Sequence, residues 1–361
     1  MSSIEQIDKN LAVSGVIDEE YLVFHNVRNE PFSVYGLLPG EVGDPFCRVP
    51  RKVAEKVNAG VLRLYGNTAG GRVRFRTNSS CVAIRAKMPG KCLMPHMPFV
   101  GSSGFDLYVI NSGIYQYKGS FIPPINRGDV FEAIVKFDNR IMKEIVIHFP
   151  LYDNVDELLI GLDYDALIEK GNNYRLAKPV VFYGSSITQG GCASRPGNGY
   201  TNLITQKLDL DHVNLGFSGN ARGEKTMAEY ISEQPMSLFF MDYDHNSAVV
   251  QLQANHEPFF LTIREKNPDL PIILASRTDV PRTVQMAEQR DCRRKVILQT
   301  YENALKRGDK NVEFIDGSTV YSQAEQLGLA ADCCTVDGVH PNDLGFACMA
   351  NSFGKVISRM I

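Results

Sequence analysis

Ser186, Asp337 and His340 are the residues whose types and spacing could do chemistry. Ser186 stands in Gly184-Ser185-Ser186-Ile187-Thr188 and is followed by the glycine pair Gly190-Gly191, while Asp337 and His340 are three apart in Asp337-Gly338-Val339-His340. A serine hydroxyl is a poor nucleophile until an imidazole takes its proton, and the imidazole must be held in one tautomer by a carboxylate. The chain has all three parts, which together suggest a serine esterase. Each part alone is weak evidence. Gly-Ser-Ser also suits an ordinary turn after a strand, and an Asp three residues before a His also suits a surface turn with a helix-capping Asp.

The weight comes from the elements that must position these residues. After Pro179 five nearly all-apolar runs alternate with helical segments: Val180 to Tyr183, His212 to Leu215, Ser237 to Asp242, Pro271 to Ser276 and Val312 to Asp316. Such runs read as parallel strands covered on both faces and joined by crossover helices, a three-layer α/β/α domain. Helices are expected at Tyr200 to Leu208, at about Val284 to Arg307 and at about Asp343 to Met360. Ser186 then lies just past the first parallel strand, at the carboxyl edge where open α/β sheets bind ligands. Pro341 biases His340 away from helical geometry, so Asp337 and His340 fall on a loop feeding the last helix.

The first half has a different texture. From Leu22 to Pro150, short alternating runs are broken by Gly, Pro and Asn, as in an all-β module. In Arg72 to Thr77, Val73, Phe75 and Thr77 would face one side and three arginines the other, a half-buried strand. Phe131 to Phe137 and Lys143 to Phe149 flank Asp138-Asn139-Arg140, a hairpin loop. This predicts a jelly-roll-like β-sandwich over 1–176 and the α/β/α domain over 177–361.

Composition excludes several classes of function. Lys plus Arg number 38 against 41 Asp plus Glu, a net charge of -3, without the long basic run that nucleic acid or acidic lipid would attract. Apolar runs fall far short of the ~20 residues of a membrane span. Residues 1–10 carry acids and amides rather than a basic tip and apolar core, so a cytoplasmic protein is expected, with a trimmed secreted form left open. The eight cysteines show no CxxC pairing and are expected to be reduced, the adjacent Cys333 and Cys334 serving as packing residues. No HExxH-like spacing is present, so neither metal nor cofactor is expected.

Ser186, Asp337 and His340 resemble blocks one and five of the SGNH, or GDSL, hydrolase superfamily. The Gly-x-Ser-x-Gly elbow of α/β-hydrolases is absent. The resemblance implies a flavodoxin-like fold and two further blocks. Gly219, in Asn214-Leu215-Gly216-Phe217-Ser218-Gly219-Asn220, matches the glycine of block two, and Asn246, in Asp242-Tyr243-Asp244-His245-Asn246, matches the asparagine of block three. With the Ser186 N–H they would bind the oxyanion, donors typically worth ~3 kcal/mol each. Taken alone, Gly219 reads as a turn glycine and Asn246 as a helix cap. The sequence departs from the family pattern at Ser185, where the family has Asp, and in block three, where the family has Gly-x-Asn-Asp. Gly104-Phe105-Asp106-Leu107-Tyr108 resembles the GxDLY module that precedes the hydrolase domain in one branch of bacterial acylhydrolases.

The combined expectation is a serine esterase that removes a short acyl group, acetyl before others, from a carbohydrate ester. Arg195, Arg222, His245 and Arg277 are candidate substrate contacts on loops at the catalytic edge; His25 and His256 are weaker candidates. The rivals are a catalytically idle carbohydrate-binding protein and an acyltransferase or lipase-like enzyme acting on lipid or thioester substrates.

Overall fold

The computed structural model describes Val13, Val16, Ile17 and residues 19–126 and 128–361. Its N-terminal part is built on ten strands: β1 (Leu22–Asn26), β2 (Ser33–Tyr35), β3 (Arg72–Thr77), β4 (Cys81–Lys87), β5 (Phe105–Asn111), β6 (Ile114–Phe121), β7 (Val130–Lys136), β8 (Lys143–His148), β9 (Glu157–Asp163) and β10 (Ile168–Lys170). They form two antiparallel sheets, ordered β1-β9-β4-β7 and β10-β3-β8-β5-β6, with β2 also paired to β3. Alternating residues of both sheets, among them Val73, Phe75, Ile84, Phe105, Ile147 and Ile160, are fully buried in one shared core. That is the interdigitated interior of a sandwich.

Two features depart from the expectation of a self-contained all-β module. Helices α1 (Arg51–Val57) and α2 (Ala59–Leu64) interrupt it, followed by the short α3 (Phe99–Ser103). Each helix is too short to carry a readable 3.6-residue period, and α1 and α2 bury only Ala54 and Val61. Those two side chains, with Val49, enter the core of the α/β part beside Tyr183, Phe217 and Met227 rather than that of the sandwich. The second departure is in β3. Val73 and Phe75 face the sandwich core as the alternation requires, but Arg72 and Arg74 on the opposite face are buried as well, at 1% and 3% exposure. That face lies against the α/β part, where Arg72 pairs with Asp211 and Arg74 with Asp209, while Glu144 of the neighbouring β8 pairs with Arg74 from within the sandwich. Alternating hydropathy reports one buried face and cannot show that the polar face meets a matching set of carboxylates.

The C-terminal part has five parallel strands, β11 (Val180–Gly184), β12 (His212–Gly216), β13 (Leu238–Asp242), β14 (Ile272–Ala275) and β15 (Val312–Ile315), each within a residue or two of the run expected from sequence. Their order is β12-β11-β13-β14-β15. Between and after them come α4 (Ser186–Gln189), α5 (Tyr200–Leu208), α6 (Lys225–Ser232), α7 (Val249–Lys266), α8 (Val284–Lys306) and α9 (Asp343–Met360). One face of the sheet packs Phe182 and Phe240 against Tyr200, Ile204, Phe346 and Phe353 of α5 and α9. The other packs Tyr183, Phe239 and Met241 against Met227, Ile231, Phe259, Phe260 and Ile297 of α6, α7 and α8. This is the flavodoxin-like three-layer arrangement, and its chain reversal beside β11 opens the crevice at the carboxyl ends of the strands.

Among the described residues no helix is long and apolar enough to cross a membrane. Cys334 is buried as expected of a packing residue, but Cys333 is exposed, so the packing role holds for one of the pair.

Candidate active site

Ser186 opens α4 immediately after β11. The turn is held by Ser185, whose hydroxyl accepts a hydrogen bond from the Ile187 N–H (3.2 Å) and so caps the helix. A serine standing where the family has Asp therefore keeps a side-chain oxygen for an orphan N–H of the first turn. As first residue of the helix, Ser186 has no intrahelical partner for its own N–H. Gly184 is required here, because a Cβ on it would overlap the Thr188 hydroxyl and stand 2.8 Å from Thr188 Cβ.

Folding brings the distant pair to this turn. Ser186 Oγ lies 3.0 Å from His340 Nε2, and His340 Nδ1 lies 2.8 Å from Asp337 Oδ2. The other Asp337 oxygen accepts the backbone N–H of His340 (2.7 Å) and of Val339 (2.9 Å). Partial burial pulls the Asp337 carboxyl upward, but the backbone and ring N–H groups of His340 and the Val339 N–H outweigh it and hold the carboxyl at about 2. An ionised carboxylate on Nδ1 leaves the Nε2 lone pair facing the serine, as proton removal needs.

The two remaining candidates lie on the loops that follow β12 and β13. Gly219 is exposed on the loop after β12 with φ +69°, a left-handed conformation that glycine enters without strain, and a Cβ there would meet nothing within 4 Å. Asn246, half-buried after β13, donates one amide hydrogen to the Phe217 carbonyl (3.1 Å), which leaves its other hydrogen for a ligand. Phe217 also accepts the N–H groups of Asn220 (2.9 Å) and Ala221 (3.1 Å), so one carbonyl ties the Gly219 loop to Asn246.

The four candidate substrate contacts separate. Arg222 is exposed beside the Gly219 loop and donates to the Gly219 carbonyl (3.1 Å). His245 adjoins His340, and burial together with the positive charges of Arg277, His340 and Arg293 pushes its pKa well below the ordinary value, which keeps the ring neutral. Arg277 is largely enclosed and paired with Asp279 at 2.8 Å. Arg195 is held at the seam between the two parts of the molecule: its Nε donates to Tyr108 Oη (3.1 Å), its guanidinium lies over Tyr117, and Asp106 is 3.5 Å away.

The Gly104 to Tyr108 motif is thereby a docking element as well as a strand start. Asp106, fully buried, accepts the Gly197 N–H (2.8 Å) and lies 3.0 Å from His148 Nδ1. Gly197 permits this approach, since a Cβ on it would overlap the Tyr108 hydroxyl and stand 2.8 Å from the Asp106 carboxylate. His96, on the sandwich loop before α3, places its exposed ring 6.0 Å from that of His340. Sequence reasoning missed His96, because nothing in Lys91 to Pro98 has a period that would fold it toward residue 340.

Beneath the nucleophile, Asp242 at the end of β13 accepts a hydrogen bond from Tyr200 Oη (2.7 Å). Burial lifts its carboxyl to about 8, against the lowering effect of the Tyr200 hydrogen bond and with a further push from Asp244. In the unfolded chain it titrates near ~3.9. Between those values the folded state holds a proton that the unfolded state releases, so this group's contribution to stability is full below pH ~4 and is lost as pH rises toward 8. Asp242→Asn, of the same shape but without a titrating proton, is expected to give a flatter profile of melting temperature between pH 5 and 8. Equal slopes for parent and variant would count against the raised value.

Two family models match successive stretches of the chain. Residues 177–358 match the family model described as GDSL-like Lipase/Acylhydrolase family, and residues 22–168 match the model described as the N-terminus of Esterase_SGNH_hydro-type. A solved structure from Bacteroides ovatus, described as a candidate GDSL-like lipase, superposes with TM-score 0.84 at 29% identity, covering 94% of this chain and 98% of that one. A salicylyl-acyltransferase from a tetracycline biosynthetic pathway gives TM-score 0.75 at 22% identity over the same shares of both chains. An acetyl xylan esterase from Butyrivibrio proteoclasticus gives 0.59 at 14% identity, again over 94% and 98%. At those last two identities the likeness is one of fold. No curated protein sequence matches the chain.

Proposed function

Because the chain belongs to the GDSL-like lipase/acylhydrolase family, matched over residues 177–358, we propose that it is a carboxylic ester hydrolase working through a Ser186–His340–Asp337 triad on a short acyl ester of a carbohydrate. The observation that carries the reading is the continuous relay from Ser186 Oγ to His340 Nε2 (3.0 Å) and from His340 Nδ1 to Asp337 (2.8 Å).

In this mechanism His340 takes the Ser186 proton as Oγ attacks the ester carbonyl, and the negative charge moves onto the carbonyl oxygen. The N–H groups of Ser186 and Gly219 and the free amide hydrogen of Asn246 receive that charge. His340 then protonates the departing alcohol, leaving an acyl-serine. Water, deprotonated by the same imidazole, attacks the acyl-serine and releases the acid. Asp337 remains ionised throughout and fixes the ring.

Support for a polar alcohol comes from exposed or half-exposed polar side chains on the loops of the candidate site, His96 beside His340 and Ser218, Arg222 and Asn246 tied to the Gly219 loop. The acetyl xylan esterase that shares the two-part plan favours acetyl as the acyl group. A series of p-nitrophenyl esters from acetate to decanoate, run beside acetylated xylan and glucose pentaacetate, tests the assignment. The expected result is the highest kcat/KM on acetate with release of acetate from the acetylated sugars; a rise in kcat/KM toward long chains would reject it.

A further inference from the structure

We propose that Gln189 and Tyr152 are positioning residues through which the N-terminal β part sets the oxyanion loop. This inference rests on the reading of Gly219 and Ser186 given above.

Gln189 is fully buried three residues after the nucleophile, on the same short helix. Its amide bridges three segments. Nε2 donates to Asn67 Oδ1 (3.1 Å) and to the Leu151 carbonyl (3.0 Å), both in the N-terminal part, and Oε1 accepts the Ser218 N–H (3.0 Å). Ser218 immediately precedes Gly219, so the peptide that presents the Gly219 N–H is fixed at its near end by a side chain itself anchored in the other half of the molecule.

Tyr152 makes the second tie. Its hydroxyl, largely buried, donates to the Ser186 carbonyl (3.1 Å). The nucleophile's carbonyl and the oxyanion loop are therefore referenced to neighbouring residues, 151 and 152, of one loop of the β part.

Arg48 completes the frame. It is buried, has no carboxylate partner among the described residues, and donates to the carbonyls of Asn67 (2.7 Å), Leu64 (2.8 Å), Asn214 (3.1 Å) and Gly216 (2.6 Å). Asn67 is thus held by Arg48 through its carbonyl while its side chain receives Gln189. Gly216, at the end of β12, is held two residues before Ser218.

Apolar side chains could have closed the same seam. Instead both donors of the Gln189 amide are directed to one part and its oxygen accepts from the other, an arrangement that fixes a relative position rather than merely excluding water. Donors aimed at a developing charge lower the barrier only if they are already in place, so an error of a few tenths of an ångström in Gly219 appears in kcat and not in substrate binding.

The test uses the full chain with Gln189→Met, which keeps the volume and removes the hydrogen bonds, and Tyr152→Phe, which removes one hydroxyl. kcat and KM for p-nitrophenyl acetate, affinity for methylboronic acid as a tetrahedral adduct of Ser186, and melting temperature are read for each. Expected are a fall in kcat of about 10-fold or more with KM within about twofold, and boronic acid affinity falling in step with kcat. A lowered melting temperature with kcat and boronic acid affinity within about twofold of the parent, measured well below melting, would overturn the proposal and leave the seam a purely structural one. If Gln189→Met does not fold, Tyr152→Phe decides by the same criterion. Ser186→Ala separates the two readings: activity that survives it rejects the catalytic assignment, whereas a Ser186-dependent enzyme indifferent to Gln189 and Tyr152 rejects this inference alone.

Discussion

Ser186→Ala is expected to lower kcat on p-nitrophenyl acetate by about a millionfold, the scale on which serine hydrolases lose activity when the nucleophile is deleted, with a residue of rate from the oxyanion donors alone. The melting temperature should hardly move. Among the described residues the hydroxyl makes one hydrogen bond, to His340, and its loss leaves a partly exposed imidazole rather than an enclosed unpaired group. Turnover above about 1% of the parent would mean that water is activated directly or that another group attacks, and the acyl-serine would have to be abandoned.

Asp337→Asn should cost about 10⁴-fold in kcat for a different reason. The asparagine oxygen can still accept the N–H groups of Val339 and His340, which share one carboxylate oxygen at 2.9 and 2.7 Å, so the loop keeps its shape. What changes is the other atom. An amide NH₂ now faces His340 Nδ1 and donates to it, which moves the ring proton to Nε2 and points an N–H where the serine needs a lone pair. The check is a pair of measurements: kcat reduced by the stated order while the circular dichroism spectrum stays that of the parent and the melting temperature falls only by the few degrees that loss of the Asp337 charge accounts for. A loss of less than about tenfold would show that the tautomer is set by something other than Asp337. The depressed carboxyl also fixes a sign for stability. With its folded value near 2 and its unfolded value near ~3.9, Asp337 stabilises the fold above pH ~4, and that contribution drains away only as pH falls toward 2.

The α/β part was legible in sequence because its strands are covered on both faces, so each run is almost wholly apolar and its ends fall where Gly184, Asp242 and Asp316 interrupt it. The candidate triad was legible for a related reason: a nucleophile after the first strand and an acid–base pair before the last helix are local patterns at positions that a parallel sheet brings to one edge. What could not be read are contacts made by polar groups between distant segments. Arg72 and Arg74 look like the wet side of a strand until Asp209 and Asp211 arrive from the other half of the chain. Arg195 reads as a substrate-binding loop charge but is bound to Tyr108 and Asp106. Gln189 carried a faint signal, since three residues after Ser186 on a helical turn it stands near the same face. Arg48 and His96 carried none, because the contacts that tie them to the α/β part, Asn214 and Gly216 for Arg48 and His340 for His96, are made with residues more than 100 positions away. The helices α1 and α2 were hidden by brevity: seven and six residues with one buried side chain apiece fall below what periodicity resolves.

The enclosure of Arg72 and Arg74 between sheet and carboxylates bears on how such chains can be recombined. Cutting at the boundary between the two matched segments would separate Arg72 from Asp211 and Arg74 from Asp209, and of these two guanidinium groups Arg74 alone would keep an acidic partner, Glu144, on its own fragment. A grafted front half from a distant homologue would need to reproduce that charge lattice residue by residue before any gain in substrate range could be expressed. Shuffling at this junction is therefore constrained by electrostatic matching, and the heritable unit is the pair of halves rather than either one.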